Sequence, residues 1–328
     1  MRNIPKVDLH VHLEGTITPV LAAHLAARNK VSLPPELIRA GRYNWSDSGT
    51  AAGNLQAFLQ AYDAATSVLR GARDYAEITY DYLIRSAAEG CIYVEFFISA
   101  DHGAMAGLSY PEMVEGIAEG CARAKRESGI EARLISTCVR HFGPKEALKV
   151  GEITRDHPHP LVTGFGMAGD ENAYTVADFK PAFDISGLPH RTAHAGEAAG
   201  PGSVRAARDV LNVRRFGHMV RASEDAALME ELRTIKAVPE VCVSSNLCLR
   251  VYQDYASHPL RKFFDFGLKV TLGSDDPSFF GTSIGREYEI ARREFRFSDD
   301  ELLRLSKNAI EEAFVDEPTR EKLLSACK

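Results

Sequence analysis

Short apolar runs alternate with longer amphipathic segments along nearly all of this 328-residue chain, and that alternation constrains the fold most. Runs at residues 6–13, 92–98, 132–139, 161–167, 191–195, 215–220, 240–244 and 269–273 have the length and composition of buried strands. Helical periodicity lies between them, at 19–28, 55–69, 74–88, 110–128, 203–211, 225–235 and 259–266. Eight apolar strands with helical crossovers predict a closed parallel barrel, the (β/α)8 or TIM-barrel fold. A doubly wound open sheet is the alternative, but no Gly-x-Gly-x-x-Gly follows the first strand.

Local signals support the helices. Thr18-Pro19 is a cap residue followed by proline at the first helical position. Ser298-Asp299-Asp300-Glu301 is a capping box opening the run 302–314. No linker divides the chain, so residues 1–328 are expected to form a single domain. The Ser-, Gly- and Asn-rich stretch 42–54 reads as an insertion after the first strand. Extra helices are therefore expected after strand one and at the C-terminus.

A hydrophobic content of 45% supplies ample core, and a formal net charge of -6 offers no basic footprint for nucleic acid. The six cysteines form no Cys-x-x-Cys pair and read as reduced, packed residues. No signal-peptide pattern opens the sequence, and no apolar run approaches the roughly 18 residues of a membrane span. A cytoplasmic location and a small-molecule partner are expected; the sequence is silent on protein partners.

The first strand carries Asp8-Leu9-His10-Val11-His12. Alternate residues of a strand share a face, so His10 and His12 point the same way, a pairing suited to a transition metal. Reactive residues of such barrels sit where strands run into their following loops. Strand five ends His194-Ala195-Gly196-Glu197, strand six ends at His218, and strand eight ends Ser274-Asp275-Asp276-Pro277. Each has a plain alternative: a structural histidine, a loop carboxylate, turn chemistry. Their joint occurrence in phase with His10 and His12 favours a hydrolytic metal site. His24, His157, His159 and His258 read as structural or solvated, while His102 and His141 suit either the pocket or a loop.

These residues carry a resemblance. Residues 5–16, Gly166-Met167-Ala168-Gly169-Asp170-Glu171, His194–Glu197, Gly217-His218, Ser245-Asn246 and Ser274–Pro277 together resemble the adenosine deaminase family of the amidohydrolase superfamily, nearly end to end. Arg140-His141-Phe142-Gly143 and residues 313–318 add a likeness to bacterial members. The resemblance implies one Zn2+ ion held by His10, His12, His194 and Asp275, which would lower the pKa of a water. It implies Glu197 as the acid protonating purine N1, His218 and Asp276 orienting and deprotonating the attacking water, and the Gly169 N–H on N3. His12, Glu14 and Asp276 are further implied substrate contacts. Leu55, Phe58, Leu59 and Tyr62 have the spacing to roof the pocket, or equally to be core. No lysine ends strand four, which implies one metal rather than two, and the Pro-Cys-x-x-Cys of cytidine-type deaminases is missing.

Three departures stand out. Met219 occupies the place of a family glycine, which predicts a narrower pocket or a turned His218. It also keeps open a catalytically impaired zinc- and purine-binding protein. Cys242-Val243 lacks the usual proline. Residues 248–251 and 277–281 resemble adenine deaminases as much as adenosine deaminases. Glu14 is shared by both, and Ala168-Gly169-Asp170-Glu171 leans toward the nucleoside enzymes. Adenosine or 2′-deoxyadenosine is the expected substrate, with adenine and a modified adenosine such as aminodeoxyfutalosine behind. A metal-dependent hydrolase of amides or esters would instead bind two metals.

Overall fold

The structure is a computed structural model that describes residues 4–45 and 49–328. Eight strands lie side by side in sequence order, every neighbour parallel. They are β1 (Lys6–His12), β2 (Cys91–Ser99), β3 (Glu131–Val139), β4 (Val162–Ala168), β5 (His190–Ala195), β6 (Arg215–His218), β7 (Val238–Val241) and β8 (Thr271–Leu272). The ring closes beyond β8, where Asp275 bridges Val11. There the His12 N–H donates to the Asp275 carbonyl at 2.9 Å, and the Asp275 N–H donates to the His10 carbonyl at 2.8 Å. The fold is the (β/α)8 barrel that the alternation predicts.

Where boundaries differ from the periodicity, backbone geometry gives the reason. β6 stops at His218 rather than residue 220 because His218 and Met219 both take positive φ, 61° and 58°. β7 ends at Val241, and the apolar run beyond it turns into a short helix, Val243–Cys248. Glu287 accepts the N–H groups of Val243 and Ser244 at that helix start, at 3.1 and 3.3 Å. The C-terminal capping box forms, with Ser298 and Glu301 each accepting the other's backbone N–H. Its helix spans Asp299–Glu312 and stops short of residue 314, since Ala313 is extended and frees Phe314 to plug the barrel floor.

Extra helices appear on both sides predicted. After β1 come α1 (Pro19–Asn29), a two-residue hairpin pairing Ile38–Arg39 with Arg42–Tyr43, and α2 (Ala51–Thr66). Residues 46–48 of the expected insertion lie outside the described residues. Thr18 accepts from the Leu21 N–H, and Pro19 opens α1, as the sequence signal requires. All six cysteines are unpaired, and only Cys248 is exposed. No helix among the described residues is long and apolar enough to cross a membrane.

The lower half of the barrel interior is charged. Arg215 from β6 donates to Glu240 on β7 at 2.6 Å and to Glu95 on β2 at 2.7 Å, all three fully or almost fully buried. The Phe314 ring lies 3.8 Å from the guanidinium, and the Phe314 N–H caps Glu95 at 2.5 Å. Buried ions are tolerated only when paired in this manner. These paired charges lead from the floor toward the C-terminal ends of the strands, where Glu240 meets His10.

Candidate functional site

The alternation of β1 puts His10 and His12 on one face, and β5 and the β8 loop bring His194 and Asp275 against them. His10 Nε2 and His12 Nε2 each lie 3.1 Å from His194 Nε2. Asp275 Oδ1 lies 3.4 Å from His12 Nε2 and 3.6 Å from His10 Nε2. The four donor atoms fall within 4.8 Å of one another. The close approach of β6 depends on Gly217, where a Cβ would sit 2.6 Å from His10 Cε1.

Hydrogen bonds on the far side of these rings test whether a metal fits. His194 Nδ1 lies 2.9 Å from the Met167 carbonyl, which only accepts, so Nδ1 carries the proton. His10 Nδ1 donates to Glu240 Oε2 at 2.8 Å. Burial opposes ionisation of Glu240, but Arg215 and His10 outweigh it and hold the carboxyl below its usual range. Both Nε2 atoms therefore carry lone pairs in the neutral rings, facing each other at 3.1 Å. A cation between them, a proton or a metal ion, resolves that repulsion: burial opposes a proton on His10 while Asp275 and Glu240 favour one, and outward N–H groups anchored on carbonyl or carboxylate are how metal-binding imidazoles are held. The residues fit a divalent metal. A second group, His218, Cys242 and Asp275, also lies within that reach. Burial pushes the Cys242 thiol far up, which disfavours the thiolate a metal needs.

Across the pocket stands Glu197. Its loop is clamped by buried Glu171, which accepts from the N–H groups of Gly196, Glu197 and Ala199 at 2.6–2.8 Å and from Ser203 Oγ at 2.7 Å. Burial, then the charges of Asp275 and Glu171, push the Glu197 carboxyl well above its usual range. Its Oε2 lies 3.4 Å from His218 Nε2. Asp276 is likewise pushed up, by burial and by Asp275, and its Oδ1 is buried without a hydrogen-bond partner. Glu14 Oε1 shares that condition. Both side chains line the cavity.

Glu197, Asp276 and Glu14 line one cavity that opens to solvent. Leu55, Phe58, Leu59 and Tyr62 of α2 all face it, so the helix is a roof as well as core. Phe58 packs on Phe280, ring centres 5.0 Å apart, and Tyr62 donates to Glu14 at 3.3 Å. The opposite wall is Gly169, with φ of +93°, where a Cβ would meet His141 Nδ1 at 2.8 Å. His102 and His141 both line the pocket, and Ser99 and Asp63 hold His102 at 2.8 and 3.1 Å.

The structure thus gathers every sequence-predicted metal, catalytic and substrate residue round one cavity: His10 lies just beneath its lining, the others on it. Met219 is the exception to expectation. Its side chain is fully buried in the core and does not line the pocket, while its backbone adopts the left-handed turn a glycine would supply. Glu171, Glu240, Asn246 and His258, which support the site from behind, carry no sequence signal beyond the motif segments that contain the first and third.

Barrel, metal-type cluster and buried acid define a metal-dependent hydrolase. A family profile described as adenosine deaminase matches residues 5–328, and the chain belongs to the adenosine deaminase family. An adenine deaminase of Sinorhizobium medicae is 45% identical over 327 residues, 99% of this chain and 98% of that one. One from Agrobacterium fabrum is 45% identical over 325 residues, covering 98% and 97%. Among solved structures, adenine deaminase from Arthrobacter aurescens superposes with a TM-score of 0.88 at 30% identity, covering 99% and 98%. An amidohydrolase from Burkholderia ambifaria with bound Zn gives 0.87 at 26% identity, covering 99% and 90%. The protein is a hydrolytic deaminase.

Proposed function

We propose that this enzyme deaminates adenine, using one zinc ion, to give hypoxanthine and ammonia. The carrying observation is the 45% identity, over almost the whole chain, to adenine deaminases. Relatives side with adenine, the substrate placed second by the Ala168–Glu171 motif, rather than with adenosine. Zinc is favoured by a three-histidine, one-aspartate donor set and by the Zn-bound relative.

When bound, the ion supplies the Lewis acidity that makes water a nucleophile near neutral pH. His10, His12, His194 and Asp275 hold it. Glu197, kept protonated by its surroundings, gives its proton to ring N1 and makes C6 electrophilic. His218 and Asp276 orient the attacking water, and the Gly169 N–H binds N3. Glu14 and His12 contact the remainder of the purine, and Phe58 and Leu59 exclude solvent from above. Water adds to C6, the exocyclic amine leaves as ammonia, and the 6-oxopurine remains.

The test is kcat/KM of zinc-loaded protein on adenine, adenosine, 2′-deoxyadenosine and N6-modified analogues. Adenine is expected to lead. A higher value for a nucleoside would overturn the adenine assignment, and two metal ions per chain would overturn the mononuclear site.

A further inference from the structure

The hydrogen bonds behind His218 run in one direction. The backbone N–H of Leu260 donates to His258 Nδ1 at 3.2 Å, so that nitrogen carries a lone pair and the proton of His258 sits on Nε2. Nε2 lies 3.1 Å from Asn246 Oδ1 and donates to it. With its oxygen committed there, Asn246 turns its amide nitrogen the other way. Nδ2 lies 3.2 Å from His218 Nδ1 and 3.5 Å from Glu197 Oε1. An amide N–H only donates, so His218 Nδ1 is a lone pair and the proton of the neutral ring sits on Nε2. That is the nitrogen facing Glu197 and Asp275, at 3.4 and 4.0 Å.

The source of this polarity is a main-chain donor, which cannot titrate or flip. Reversing the chain would leave the Leu260 N–H without its partner beside a buried ring. Asn246, His258 and His218 are 0%, 4% and 1% exposed, so water does not compete for the links. The rings packed on His258 are Tyr252 and Phe295, which offer no charge to protonate it.

We propose that His258 and Asn246 are positioning residues that lock His218 as the Nε2–H tautomer. The inference rests on the aminopurine hydrolysis proposed above. His218 then meets the attacking water as a hydrogen-bond donor and keeps its own proton. The water oxygen bonds to C6, and the proton it sheds leaves with the exocyclic amine as ammonia. The second N–H of Asn246 faces Glu197 at the same time, so one amide orients both groups.

Long-range 1H–15N NMR of histidine-labelled, zinc-loaded enzyme reads the tautomer directly, with His218 assigned by the signals lost in His218→Asn. A bare Nδ1 and protonated Nε2 are expected, and a proton on Nδ1 would overturn the proposal. Asn246→Asp keeps the shape but places an acceptor opposite Nδ1. It is expected to move the proton to Nδ1 and lower kcat about tenfold or more, with KM and metal content held. His258→Gln, which can still donate to Asn246, should keep the wild-type tautomer and more of kcat than His258→Phe. Folded, metal-loaded Asn246→Asp with unchanged tautomer and unchanged kcat overturns the inference. Wild-type enzyme inert on every aminopurine would instead sink the functional reading, while the spectrum still decides the tautomer.

Discussion

His10 Nδ1 lies 2.8 Å from Glu240 Oε2, both side chains at zero exposure, and this bond joins the cluster of His10, His12, His194 and Asp275 to the charge chain crossing the barrel. Glu240 shares its other oxygen with Arg215, itself paired to Glu95. The ligand ring is thereby tied to three strands that contribute no other group to the metal. Glu240→Gln retains an acceptor for His10 but removes the negative charge that sharpens its basicity. Metal affinity is expected to fall about 10- to 100-fold, as for other partners of ligating histidines. Dialysis against graded chelator followed by metal analysis checks this. Equal retention by variant and wild type would show that Glu240 serves only Arg215.

Met219 offers a different test, because its backbone and side chain pull in opposite directions. A residue with a Cβ spends roughly 1–2 kcal/mol in the left-handed region. Its buried thioether repays more, since truncating such a side chain costs about 2–5 kcal/mol. Met219→Gly is therefore expected to lose stability in urea unfolding by about 1–3 kcal/mol, with kcat/KM unchanged. A severalfold rise in kcat would mean that methionine holds His218 away from its best position.

How much of this was legible beforehand depends on range. His10 and His12 follow from strand alternation alone, and Ser298 with Glu301 from a four-residue motif. Glu197, Asp275 and Asp276 needed the barrel rule that strand ends carry chemistry, and their individual roles came only from family resemblance. Residues 240–244 look like one strand because periodicity cannot distinguish a short apolar strand from a buried helical turn. Asn246 therefore stood beyond a strand end, although it lies within a helix that aims its amide at His218. His258 was unreadable for a plainer reason: a histidine between serine and proline looks solvated until the fold buries it against Asn246, twelve residues away.

Glu287 makes a prediction about pH and stability. It is fully buried, accepting from the N–H groups of Val243 and Ser244 and from Thr282 Oγ1 at 2.6 Å. Burial pushes its carboxyl from 4.5 to about 7, against the pull of those hydrogen bonds. The folded state thus binds this proton more tightly than the unfolded chain does. Its contribution to stability is complete below pH 4.5, declines as pH rises to about 7, and is level above that. Glu287→Gln removes this decline. Relative to wild type, the variant should gain on the order of 2–3 kcal/mol between pH 4.5 and 7.5 in urea melts. A constant difference across that range would show that Glu287 stays ionised throughout.

Glu197 joins pH to chemistry. Burial, reinforced by Asp275 and Glu171, keeps its carboxyl protonated well above the ordinary carboxylate range. A step that needs the acid form is fully available below the folded pKa and is lost as pH rises through it. The alkaline limb of kcat/KM is therefore expected to belong to Glu197, since that profile reports groups of the free enzyme. Glu197→Gln can still hydrogen-bond to N1 but has no proton to give. It should lose about 10²- to 10⁴-fold in kcat and show no alkaline limb in the remaining rate. Metal content should match wild type, because Glu197 stands apart from the His10, His12, His194 and Asp275 donors. Loss of metal in the variant would assign Glu197 to the metal site, and near-normal turnover would remove it from the acid role.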